Sequence, residues 1–125
     1  NRVWIADPEQ VVLSWPAFFG MQAGIHRSIR NLDYGDPLLL RPRSDGKPGW
    51  ELADTQGNAV TRMAQRFSPP GGEIVAVRVG NILTRIAKES EAEQVKVPNW
   101  ELVLPEIEYL PSAGTKEPPA NPCAN

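Results

Sequence analysis

Cysteine and histidine are nearly absent from this chain: one of each in 125 residues, Cys123 and His26. A single thiol excludes an intramolecular disulfide framework, which suits a cytoplasmic protein. His26 and Cys123 lie far apart in the chain, so no zinc-type ligand set can be assembled from them. No DxD-type carboxylate cluster on an apolar strand offers a magnesium site either, so neither metal nor cofactor is expected. Nucleophilic catalysis meets the same shortage, because every serine or cysteine would compete for one imidazole. Gly71-Gly72 is not a phosphate loop, since no GxxxxGK[ST] pattern contains it. Glu101, Glu106 and Glu108 alternate along an extended segment and read as a solvated face rather than an acid–base pair. The chain by itself is therefore expected not to be an enzyme. Long apolar runs are missing too. None approaches the roughly 20 residues of a membrane helix, and no charged-then-apolar signal segment opens the chain.

What is present is a moderately apolar chain, 41% hydrophobic, with 13 prolines, about twice the usual share. At 125 residues it suits one domain with a single modest core. Pro111, Pro118, Pro119 and Pro122 fall among Ala, Gly and Asn, so residues 111–125 are expected to be a disordered tail after a domain over 1–110. The chain opens at Asn1 rather than methionine, as a domain cut from a longer protein or a processed product would. Net charge is −2, but it is segregated: residues 27–88 carry ten basic against six acidic side chains. From residue 89 onward there are seven acids against two lysines. A basic face partly shielded by an acidic C-terminal third fits this split, as does an uneven surface without function.

The organising stretch is 35–67. Leu38 to Arg41 and Trp50 to Ala53 are short apolar runs, and Ala59 to Thr61 follows the turn-forming Asp54-Thr55-Gln56-Gly57-Asn58, with Gly57 suited to positive φ. The pattern predicts three short strands in a meander, then one helical turn over 62–66 before Pro69-Pro70-Gly71-Gly72 breaks the chain. Upstream, Val3-Trp4-Ile5 and Val11-Val12-Leu13 read as two brief strands or as one strand and an extended arm, with Trp4 as a core anchor. Residues 15–32 space Phe18, Met21, Ile25, Ile29 and Leu32 at three-to-four intervals. That spacing predicts one amphipathic helix capped by Ser14, with His26, Arg27 and Arg30 on its polar side. Gly20 and Gly24 weaken such a helix: either they allow close packing on a sheet, the reason favoured for them, or the helix starts only near Met21. Downstream, Val75, Val77 and Val79 alternate, and the phase then slips at Gly80-Asn81 to Ile82, Thr84 and Ile86. The slip predicts one long strand over 73–86 bent by a β-bulge. Val95 to Val97, Trp100 to Leu104, and Ile107 to Leu110 complete the strands. Six to eight short strands and one helix near the N-terminus predict a mainly β fold, a small OB-like barrel.

Binding chemistry is better supplied than catalytic chemistry. Arg41, Arg43 and Lys47 cluster on the first hairpin, and Arg62 and Arg66 lie four apart after the third strand. Such cations can track a phosphate backbone, and Tyr34 can stack a base. Trp50 and Trp100, at strand positions, are expected in the core. The competing reading is a protein-interaction or structural domain in which Trp4, Phe18 or Phe19 docks a neighbour.

Gly35-Asp36 entering a strand, then Trp50-Glu51-Leu52, Asp54, Gly57, Val60, Arg62 and Ala64, resembles the HIRAN accessory domain attached to superfamily 2 DNA helicases and repair ATPases. The resemblance spans about residues 30–87. It implies an OB-like barrel that helps a larger machine hold single-stranded or end-containing DNA. Two departures stand out. The family's loop for a DNA 3′ end is replaced by Arg41-Pro42-Arg43-Ser44-Asp45-Gly46-Lys47, and Thr61 stands where the family has glycine.

Overall fold

The computed structural model describes residues 1–112. Residues 113–125, with most of the expected tail, lie outside the described residues. The fold is mainly β. β1 (Arg2–Ile5), β6 (Asn99–Leu110) and β5 (Glu73–Ile86) form one antiparallel sheet in the order β1-β6-β5. β2 (Leu39–Pro42), β3 (Trp50–Ala53) and β4 (Ala59–Arg62) form the second, a meander in chain order. One α-helix, α1 (Gly24–Arg30), packs over β6 and β4.

The long strand forms over the expected residues, and its register with β6 shifts between Val79 and Asn81. Gly80 is the extra residue of that bulge. A side chain there would place its Cβ 2.9 Å from Glu106 Cβ, so glycine is required by the close approach of β6. The same site explains how Pro105 is tolerated in a central strand. It pairs with Val79 at the edge of the bulge, where a missing N–H disturbs the ladder least. A second shift, between Ile74 and Ala76, has no glycine to announce it. In the meander, Gly57 takes φ +90°, and Asp54 Oδ1 accepts hydrogen bonds from the Gln56 and Asn58 amides at 3.0 and 2.9 Å.

The helix is shorter than the periodicity predicts. Trp15–Phe18 is a 3₁₀ turn, and α1 begins only at Gly24. A Cβ at Gly20 or Gly24 would meet nothing within 4 Å, so these glycines do not serve close packing; Gly20 lies before the helix and Gly24 opens it. Ile29 is buried, but Phe18 and Met21 are exposed, so the predicted stripe holds only in its second half. His26, expected on the polar side, is buried, with its Nε2 2.9 Å from the Phe19 carbonyl oxygen. The N-terminal segment takes the second of its two expected forms, one strand and an extended arm, and one other expected strand is not formed. Residues 11–13 make only a single bridge, Val11 to Met63, and 95–97 are irregular, with Val97 packed on Ala17 and Trp100 in a small second core. Residues 65–66 form a turn rather than a helix.

Strand pairing closes no barrel; it gives two separate sheets. They meet at two seams. Residues 35–38 run along β5, with Gly35 N–H to Val79 O, Val79 N–H to Asp36 O and Leu38 N–H to Val77 O all at 2.8 Å. Residues 10–12 run beside the end of β4, with Val12 N–H to Arg62 O and Ala64 N–H to Gln10 O, again at 2.8 Å. Trp4, Leu52, Val60, Leu102, Val103, Ile107 and Tyr109 fill the main core between the sheets. Across that core the buried Thr61 hydroxyl donates to the Val103 carbonyl at 2.8 Å. This hydroxyl gives a physical reason for threonine rather than glycine at 61. No helix among the described residues is long and apolar enough to cross a membrane.

Candidate functional site

The β2–β4 meander places three charged side chains abreast. Arg41 lies opposite Glu51, and Glu51 opposite Arg62, so all three project from one face. Glu51 is buried, and Arg41 serves it: Nε donates to Glu51 Oε2 at 2.8 Å, and Nη2 donates to the Gly57 carbonyl at 2.9 Å. Arg41 is therefore a strut that ties β2 to β3 and to the β3–β4 turn, and its guanidinium is largely committed.

Arg43 leaves the end of β2 and turns toward Asp45. Its Nε donates to Oδ1 at 3.0 Å, and its Nη2 donates to Oδ2 in a forked pair. Arg62 approaches from β4, with Nη2 3.6 Å from the same Oδ2. The Arg62 guanidinium lies over the Trp15 ring, 5.2 Å from its centroid, which fixes its direction by cation–π attraction. The Lys47 backbone N–H completes the set, donating to Asp45 Oδ1 at 3.1 Å. These partners hold the Asp45 carboxyl down to about 2: the Arg43 hydrogen bond contributes most, with the Lys47 amide and the charges of Arg43 and Arg62 adding to it. Burial lowers the pKa of Arg62, and the neighbouring Arg43 charge lowers it further, against the opposing pull of Asp45 and Glu51. Its Nε is buried without a hydrogen-bond partner.

Of the six residues singled out from the sequence, Arg41, Arg43, Lys47 and Arg62 share this region. Arg66 sits exposed on the turn just after it. Tyr34 does not join them: it is 65% exposed, and its hydroxyl lies 3.5 Å from the Ile82 carbonyl on β5, in the other sheet. The residues missed were Asp45, Glu51 and Trp15. The Asp54–Asn58 turn bears on the β3–β4 pairing, which sets Glu51 opposite Arg62. Nothing local signals that Trp15 lies under Arg62.

The remaining features divide into polar and apolar. Arg78 on β5 is held by both Glu106 and Glu108, so those two carboxylates are ion-pair partners rather than a freely solvated row. An open cleft of about 680 Å³ lies between α1, residues 36–37 and the β3–β4 turn, with Arg27, Asn31, Asp36, Asp54, Gln56 and Asn58 among its lining. Among the described residues no group of His, Cys, Asp and Glu could hold a metal ion. Phe18, Phe19 and Met21 are exposed close together in the chain, whereas Trp4 is 1% exposed and so is not available to dock a neighbour. No protein-family model, no curated protein and no solved structure matches the chain.

Proposed function

We propose that this chain is a non-catalytic nucleic-acid-binding accessory domain, working in the cytoplasm within a DNA helicase or other DNA-processing protein. The observation that carries the reading is the convergence on Asp45 of Arg43, just past the end of β2, and Arg62, on β4, with the exposed Lys47 in the same loop as Asp45 and the exposed Arg66 four residues beyond Arg62. Three arginines, Arg41, Arg43 and Arg62, meet two carboxylates there, Asp45 and Glu51. Arg43, Lys47, Arg62 and Arg66 would contact phosphates, and Arg41 would hold the meander in shape. The two seams support reading the sheets as an open, OB-like barrel of the HIRAN kind, single-stranded or end-containing DNA lying across β2–β4. Tyr34, on the other sheet, would stack a base only if the strand ran round to β5.

Lys47 and Arg66 are the cleanest probes, because both are exposed and, among the described residues, neither forms an ion pair. Replacing both by alanine should weaken binding of a 3′-tailed DNA about tenfold at low salt while leaving the melting temperature unchanged. Unchanged affinity would remove them from the interface. A protein-docking role has one specific observation in its favour, the exposed Phe18, Phe19 and Met21. Under that reading Phe18→Ser with Met21→Ser would abolish partner capture and leave any DNA affinity untouched.

A further inference from the structure

We infer that the 44–49 loop carries a built-in competitor for this site: the Asp45 carboxylate occupies the position of a phosphoryl oxyanion between Arg43 and Arg62, and binding requires its displacement. The inference rests on the nucleic-acid reading above for the source of the anion, but not for the site itself. Two guanidiniums, one just past the end of β2 and one on β4, share one carboxylate, and the sharing is unequal. Arg43 makes a forked pair with Asp45, while Arg62 stands off at 3.6 Å, beyond hydrogen-bond length. A phosphate has more acceptor oxygens and can take full hydrogen bonds from both guanidiniums at once.

Each arginine also has a contact besides the aspartate. Arg62 is seated on Trp15 and on the β4 backbone, and the stem of Arg43 lies against Gly49, where a Cβ would come within 3.0 Å of Arg43 Cδ. Their side chains are 25% and 17% exposed, against 40% for Asp45, so the carboxylate covers the arginines from the solvent side. Residues 44–48 are all exposed, and Gly46 and Gly49 both have positive φ. Swinging Asp45 outward therefore uncovers no core. Glu51, the other acid facing this pair, is already committed to Arg41 and stays in place.

The test uses the full chain and Asp45→Asn. Asparagine keeps an acceptor for the Lys47 amide and so keeps the turn, while removing the competing charge. Two probes are titrated at low salt: inorganic pyrophosphate and a single-stranded DNA about ten nucleotides long. The expected result is that Asp45→Asn binds both roughly fivefold more tightly, the effect of one unit charge at about 4 Å through water. Adding Arg43→Gln should abolish the gain. If Asp45→Asn gains affinity for pyrophosphate while neither protein binds DNA, the oxyanion site stands and the nucleic-acid reading falls. If both proteins bind DNA equally and Asp45→Asn gains nothing for pyrophosphate, the competitor role is overturned and the nucleic-acid reading stands. Binding of neither probe by either protein overturns both.

Discussion

Arg41 and Arg43 are two residues apart and read alike in the sequence, yet they do different work. Arg41 neutralises a carboxylate buried at 2% exposure, whereas Arg43 holds an exposed one. Removing Arg41 should leave Glu51 buried without its close partner, so Arg41→Ala is expected to cost about 2 to 3 kcal/mol in a chemical melt. Arg43→Gln should cost less than Arg41→Ala, because the carboxylate it leaves, Asp45, is exposed, and the loss should be seen through the Asp45 titration. That carboxyl, held near 2 against an ordinary 3.8, gives a contribution to stability that is present above pH 3.8 and is lost as pH falls toward 2. Carbon-detected NMR should find its titration midpoint near 2 in the parent protein and back toward 3.8 in Arg43→Gln. A midpoint that does not move would show that Arg43 is not its partner. Which arginine took which role was not legible from composition, because it depends on cross-strand register and on a loop that folds back on its own strand.

At the level of elements, local pattern carried far. The slip in alternation at Gly80 marked the bulge, and the Asp54–Asn58 composition marked the β3–β4 turn, because both are set by backbone demands within a few residues. The helix failed for the complementary reason. A three-to-four spacing across Gly20 and Gly24 looks continuous, but Gly20 has no packing partner to offset its entropy cost, and α1 starts only at Gly24. The glycines therefore separate into two groups. Gly72→Ala would set a Cβ 2.1 Å from the Leu110 carbonyl oxygen at φ +106°, and should lower the melting temperature severely or prevent folding. Gly24→Ala meets nothing and should be neutral or stabilising by up to about 1 kcal/mol. Comparable melts for the two variants would contradict the described β5–β6 packing.

Among the described residues charge is balanced differently on the two sheets. Arg78 is matched by two carboxylates, Glu106 and Glu108, on the β5–β6 sheet, while on the β2–β4 side Arg41, Arg43 and Arg62 meet Asp45 and Glu51. The segregation was visible in the sequence as a basic middle and an acidic end; its partial neutralisation was not, because Glu51 and Asp45 are brought to the arginines only by the meander. A surface of this kind should bind a polyanion modestly and with a clear dependence on salt. The most direct measurement is the affinity of the parent protein for a single-stranded DNA across a salt series. A fall of log K with log salt, at a slope near −0.7 for each phosphate engaged and shallower by about two such steps in Lys47→Ala/Arg66→Ala, is predicted. No binding at low salt, or binding indifferent to salt, would contradict the account.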